Sequence, residues 1–296
     1  MATTTASEVM TGRRTRRGLG SRLGPNVLPA FTAVAIGYLL IPIVVMIVFS
    51  FNDYDGKFNF IWRGFTLNAW LHPLDWPGLA SAIRTSLTIA ALSTLFSTIL
   101  GTLIALALTR YRFRGRGAIN GLIFLPMASP EIVLGASLLT LFVNIGLRNG
   151  ILPPGLGLLP AGTLSLGFTT ILIAHIMFNI SYVVVTVKAR VSGFDRRLEE
   201  AAMDLGANEW STFWRVTFPL IFPGILAASL LAFSLSIDDF VITNFVSGTQ
   251  NTFPIWTYGI IRNALPAQIN VIGSIVFLTA VGLVAFATSR GARIRG

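Results

Sequence analysis

The chain has 296 residues, 53% of them hydrophobic and only 11% charged, with a net charge of +10 and a mean hydropathy of +0.73. Soluble domains usually carry about 25% charged residues, so much of this surface must face something other than water. Cysteine is absent, which excludes disulfides, thiolate catalysis and cysteine metal sites.

In chain order, residues 1–24 are rich in Thr, Arg and Gly and read as a disordered tail. The arginine pairs at 13–14 and 16–17 resemble the start of an export signal, but the apolar run after them is too long for a signal core and lacks a small-residue cleavage site. It reads as a retained first helix. Residues 23–52, 85–109, 149–187 and 263–289 contain no charged side chain; 117–147 hold only Glu131, and 216–261 only Asp238 and Asp239. A helix crossing the hydrocarbon needs about 20 mostly apolar residues with every backbone group paired internally. The pattern predicts an all-α membrane protein with about six spans, near 27–51, 83–108, 118–146, 164–187, 221–246 and 268–288, in one domain over 25–296.

Basic residues orient these spans. The tail carries Arg13, Arg14, Arg16, Arg17 and Arg22, the loop after the second helix Arg110, Arg112, Arg114 and Arg116. The loop after the fourth carries Lys188, Arg190, Arg196, Arg197 and Arg215, and the C-terminus Arg290, Arg293 and Arg295. Only Lys57, Arg63, Arg84, Arg148 and Arg262 of the 22 Lys and Arg fall on the other side. Positive loops stay cytoplasmic, so both termini are expected inside a bacterial plasma membrane. The charge is then a topology signal and requires no nucleic-acid partner. Of the two longer outward segments, 52–82 carries Trp62, Trp70 and Trp76 and should include a short surface helix, and 146–163 reads as a Pro/Gly loop.

The loop over 191–220 is patterned. Leu198, Ala201, Ala202 and Leu205 recur at i, i+3, i+4 and i+7 and form one helix face, which leaves Asp195, Glu199 and Asp204 for the wet side. Gly206 follows where a left-handed C-terminal turn favours glycine. Asn208 is placed to cap a second short helix with an apolar stripe of Trp210, Phe213 and Trp214, closed by Pro219 and Pro223.

Glu200-Ala201-Ala202, then Gly206, then Val216-Thr217-Phe218-Pro219 resembles the EAA motif of ABC importer permeases. That pattern is Glu-Ala-Ala, three residues, Gly, nine residues, Ile-x-Leu-Pro; Val216 and Phe218 depart conservatively from it. The resemblance implies a type I importer (MetI-like) fold, and a coupling helix docked in a groove of an ATPase subunit, with Glu200, Ala201, Ala202, Asp204, Gly206 and Pro219 in the coupling segment. Leu125-Pro126-Met127, Pro130-Glu131-Ile132-Val133, Gly193-Phe194-Asp195, the run Ser234 to Phe240 and Phe245-Val246-Ser247-Gly248 are similar to the permeases of spermidine/putrescine transporters. This implies a second homologous permease, two copies of a cytoplasmic ATPase that carries the ATP and Mg, and an extracytoplasmic binding protein, with membrane lipid around the spans.

Ionisable groups inside a membrane are costly and become functional candidates. Glu131 lies about 13 residues into its helix, ~20 Å deep at 1.5 Å per residue, with Asp238 and Asp239 at a comparable level. With no embedded Lys or Arg beside them, these three suit the path of a passing polyammonium ion. In a regular helix the two aspartates point ~100° apart, so one faces the path squarely and the other caps a helix break or meets a partner. Pro130 should kink its helix. All three carboxylates could equally be structural. His175, alone on the fourth helix, reads as a hydrogen-bonded core residue, and His72 sits before Pro73 in an outer loop. Two histidines so far apart support no metal site, and no phosphate-binding glycine motif occurs, so no cofactor is expected on this chain. Other readings are the same architecture carrying an opine, thiamine, an organophosphonate or ferric ion, an ATP-independent secondary transporter, or a membrane enzyme. The last lacks any nucleophile–base constellation. The secondary transporter would show inverted repeats and no coupling platform.

Overall fold

The computed structural model describes residues 20–147 and 165–293, with side chains over 27–144 and 165–282. The expected tail up to residue 19 and most of the expected loop at 146–163 lie outside the described residues. Helices, joined by turns and loops, make up the regular structure of the described part, with an isolated bridge between Asn52 and Phe65. The helices are α1 (Gly20–Phe49), α2 (Asn68–Leu71), α3 (Leu79–Arg110), α4 (Arg116–Ala128), α5 (Glu131–Leu147) and α6 (Phe168–Ser192). There follow α7 (Arg197–Asp204), α8 (Glu209–Thr212), α9 (Phe218–Ile237), α10 (Val241–Val246), α11 (Phe253–Ile261) and α12 (Ala267–Arg293), with a π-helical turn over Phe213–Thr217 joining α8 to α9.

Among the described residues, Val27–Phe49, α3, α6 and the continuous stretch Glu209–Ile237 are each long and apolar enough to cross a membrane. The pair α4 and α5 makes a fifth span when taken together. The apolar part of α12 that is described, Ala267–Gly282, is shorter, although the helix itself runs on to Arg293. The single helix expected over 118–146 is two helices, bent by 107°. Pro130 lacks an amide hydrogen and pushes Ser129 into extended geometry, φ −79° and ψ 137°, so α4 ends there. The helix expected over 221–246 is likewise divided, into α9 and α10, around Asp238–Phe240.

The chain divides into two compact units, Met1–Leu71 with Ala267–Gly296, and His72–Pro266. In the first, α1 packs on α12 where a Cβ on Gly273 would lie 2.6 Å from Met46 Sδ. Its other apolar side chains, such as Leu28 and Tyr38, face outward, as a lipid-facing helix requires. The segment after α1 closes on itself through buried amides: Asn52 Nδ2 donates to Asn59 Oδ1 at 2.6 Å, and Asn59 Nδ2 to the Phe49 carbonyl at 2.8 Å. The surface helix expected in 52–82 is α2, whose Trp70 stacks on Phe51 and donates Nε1 to Ser50 Oγ.

The second unit is centred on α3, α6 and α9. Ser93, Ser97, Gly101 and Ala105 recur every fourth residue along α3 and are fully buried. These small side chains let helices approach closely; a Cβ on Gly101 would sit 2.6 Å from Val183 Cγ1 of α6. Ala228 and Ala232 of α9 complete this part of the core with Val184 and Val187. A second cluster joins α5 and α10 to α6 through Leu134, Leu138, Phe142, Ile171, Phe178, Ile242 and Val246. These two clusters support the two regions that carry candidate function.

Candidate functional site

The first region is the platform between α6 and α9. Helix α7 begins after Asp195, whose Oδ1 accepts the Arg197 amide at 3.0 Å, and carries Glu199 and Glu200 in its first turn, where a helix dipole favours negative charge. It ends at Gly206, which has φ +89°. The Ala207 amide returns to the Ala202 carbonyl at 3.1 Å and the Gly206 amide to that of Met203 at 2.9 Å, a glycine-terminated helix end of the expected kind. Asn208 caps α8 by accepting the Ser211 amide at 2.8 Å. The helix does not close at Pro219 and Pro223, as expected, but runs on. The Phe218 amide donates to the Phe213 carbonyl five residues back, and this π turn absorbs the mismatch ahead of Pro219.

The orientation of α7 reverses one expectation. Glu199 does not face water: its Oε1 accepts Arg110 Nη2 at 2.6 Å and Thr217 Oγ1 at 2.6 Å, and its side chain is 15% exposed. Arg110, at the last turn of α3, also lies over the Phe194 ring, 5.5 Å from its centroid. The apolar stripe instead faces out, with Leu205 90% and Leu198 50% exposed. Spacing shows which residues share a face, but the ion pair decides which face turns in. Glu200, Ala201, Asp204 and Pro219 are exposed and Ala202 is half-buried. Trp210 and Trp214 stand exposed beside them. A cleft of about 810 Å³ opens here, lined by Arg110, Glu199, Met203, Trp210, Phe213 and Thr217 among others. The platform therefore presents apolar surface and acids outward, and is tethered to α3 by a charged pair.

The second region is the break between α9 and α10. Ile221, Ala228, Ala232 and Ser236 form the buried face of α9. Asp239, three residues beyond Ser236, falls on that same side, whereas Asp238 turns away and is exposed. Asp239 caps α10: Oδ2 accepts the Thr243 amide at 2.8 Å and the Thr243 hydroxyl at 2.6 Å, and Oδ1 accepts the Ile242 amide at 3.4 Å. His175 of α6 completes the arrangement. Its Nε2 lies 2.8 Å from Thr243 Oγ1 and 3.3 Å from Asp239 Oδ2, and its Nδ1 lies 2.7 Å from Ser236 Oγ. The Thr243 hydroxyl proton goes to the carboxylate, so its oxygen accepts and His175 Nε2 must carry a proton. Ser236 Oγ is in turn 2.9 Å from Ser93 Oγ of α3. His175 and Asp239 side chains are 3% and 9% exposed.

Glu131 stands exposed in the first turn of α5. Among the described residues no hydrogen bond or ion pair joins it to either aspartate. The structure thus brings Asp239 together with His175, leaves Asp238 open, and places Glu131 separately. Sequence reasoning missed Arg110, Ser93, Ser236 and Thr243. Ser236 and Thr243 stand three before and four after Asp239, a helical spacing that could have flagged them.

Residues 97–293 match the family model described as binding-protein-dependent transport system inner membrane component. The chain is 36% identical over 256 residues to the spermidine/putrescine transport system permease protein PotC of Haemophilus influenzae, covering 86% of this chain and 92% of that protein. It is 37% identical over 251 residues to the putrescine transport system permease protein PotI of Escherichia coli, covering 84% of each. A crystal structure of a bacterial ABC transporter that imports the acidic polysaccharide alginate shares the fold, with a TM-score of 0.67 at 20% identity over 91% of this chain and 96% of that one. The chain belongs to the family of inner membrane components of binding-protein-dependent transport systems.

Proposed function

We propose that this chain is a membrane-spanning permease subunit of an ATP-driven polyamine importer. The observation that carries the reading is the likeness to spermidine/putrescine and putrescine permeases along nearly the whole of both chains. A platform of exposed apolar and acidic residues, tethered to α3, fits docking on a separate ATPase, on which ATP and Mg would sit. A second homologous permease, two ATPase copies and an extracytoplasmic binding protein complete the assembly. The basic loops set both termini in the cytoplasm.

The mechanism is alternating access. Closure of the ATPase dimer drives the two platforms together and turns the permease pair outward. The binding protein then releases its cation, and hydrolysis reopens the inner side. Carboxylates exposed at breaks in membrane helices, Asp238 and Glu131, suit the passage of a polyammonium ion without trapping it, because each offers charge without a closed cage. Uptake of labelled putrescine and spermidine by cells expressing the whole operon, with and without this subunit, tests the reading. ATP-dependent uptake should vanish without the subunit; uptake that persists would overturn it.

A further inference from the structure

Asp238 and Asp239 are adjacent in sequence yet differ in every structural respect. Asp239 is spent on α10: three donor groups, the amides of Ile242 and Thr243 and the Thr243 hydroxyl, reach its two oxygens, and His175 Nε2 stands 3.3 Å away. A carboxylate so occupied has little left to offer a passing cation. Asp238 is the last residue of the α9 end, φ −101° and ψ −1°, and is exposed. It shares the open face of α9 with Ser234, one turn earlier and also exposed. That division is held from a distance. His175 bridges Ser236, on the last turn of α9, to Thr243, on the first turn of α10, and to Asp239 in the break just before it. Ser93 of α3 anchors the α9 side of the bridge. One imidazole, fixed on a third helix, thereby spans both sides of the break.

We propose that His175 is a positioning residue of the transport pathway, which clamps Asp239 into the α9–α10 break so that, of the two adjacent aspartates, Asp238 presents its carboxylate to the cargo. The inference rests on the polyamine reading above and assigns its site. Substituting His175 does not touch the cargo contact directly. It cuts the link between the last turn of α9 and the capped start of α10, so the two sides of the break turn independently and the direction of Asp238 is lost with it.

The absence of cysteine from the chain allows a direct test in the assembled transporter. Ser234→Cys places a reporter thiol on the open face, and its modification by a cationic methanethiosulfonate reagent is read on this chain by mass. Putrescine or spermidine at saturation should slow that modification. Asp238→Asn should abolish the protection, and so should His175→Leu, although Asp238 is intact in the latter. His175→Gln, which keeps a donor and an acceptor, should retain it, as a purely charge-based role for His175 would not. If His175→Leu does not assemble, Thr243→Val, which removes the hydroxyl between His175 and Asp239, takes its place with the same expectation. Protection that survives both His175→Leu and Thr243→Val overturns the positioning role. Protection lost in Asp239→Asn but kept in Asp238→Asn overturns the assignment of the cargo-facing carboxylate. A reporter that is readily modified yet protected by neither polyamine overturns the polyamine reading instead.

Discussion

Arg110 Nη2 and Glu199 Oε1 lie 2.6 Å apart, both side chains about one-seventh exposed, and this contact joins the last turn of α3 to the first turn of α7. Thr217 donates to the same oxygen, so the pair also reaches the start of α9. A subunit docked on the platform would find here a charged, partly desolvated route into two membrane helices. A hydrogen bond to a charged group contributes about 1.5–3 kcal/mol. Removing either partner leaves the other mostly buried with its charge unpaired, held only by Thr217 in the case of Glu199 or by the Phe194 ring in the case of Arg110. Glu199→Gln or Arg110→Ala should therefore keep ATP hydrolysis in the assembled transporter but lower cargo moved per ATP by roughly tenfold. The ratio of uptake to hydrolysis measures this. An unchanged ratio in both variants would show that the tether carries no coupling.

Gly206 holds φ +89°, and nothing lies within 4 Å of the place a Cβ would take. Any cost of substitution is then conformational and not steric. Gly206→Ala should weaken the platform by about 1–2 kcal/mol, and Gly206→Asn by less, since asparagine tolerates the left-handed region. Transport per ATP should fall in the order Gly, Asn, Ala while membrane insertion is untouched. Alanine and asparagine variants of equal activity would refute the conformational account.

Gly101 presents the opposite case, because a Cβ there would meet Val183 Cγ1 at 2.6 Å and Val183 Cβ at 2.8 Å. Overpacking of a tight core costs about 1–3 kcal/mol, so Gly101→Ala should lower the thermal midpoint of the detergent-solubilised complex. Gly117→Ala, with nothing within 4 Å, is the control and should leave it unchanged. Equal midpoints for the two would show that α3 and α6 separate freely.

Pro130 separates α4 from α5 at a bend of 107°. Pro130→Ala restores the missing amide and releases Ser129 from extended geometry. The variant should straighten the pair and lower uptake, with insertion retained. Spin labels at Ile119 and Thr140, which flank the bend, would report a longer separation by electron resonance; an unchanged separation would place the cause of the bend elsewhere.

What could be read in the sequence followed the constraints that lipid and local geometry impose. Charge-poor stretches of span length marked α1, α3, α6 and the stretch Glu209–Ile237, because exposed charge and unpaired backbone are costly in hydrocarbon. Gly206 and Asn208 announced the ends of α7 and α8, since a left-handed turn and an open helix start each favour few residue types. The direction of α7 was not legible. Leu198, Ala201, Ala202 and Leu205 share a stripe, but whether that stripe turns inward depends on Arg110, which sequence reading used only as a topology marker. For the two aspartates, helix geometry showed that they diverge and that one could cap a break, and the donors Ile242 and Thr243 lie at local spacing from Asp239. Which of the two turned inward, and its tie to His175 on another helix, was not contained in any local pattern. Pro130 signalled a kink and delivered a helix end, because the residue before proline leaves the helical region as well.

If ATP hydrolysis on a partner drives a polyamine through this subunit, purified components should reproduce the import. The decisive measurement uses proteoliposomes containing the purified permease pair and ATPase, with the binding protein and labelled putrescine outside. Putrescine should accumulate only when ATP is enclosed on the ATPase side, with none when a non-hydrolysable analogue replaces it or when the binding protein is omitted. Accumulation without ATP, or ATP-driven vesicles that never accumulate putrescine or spermidine, would contradict it.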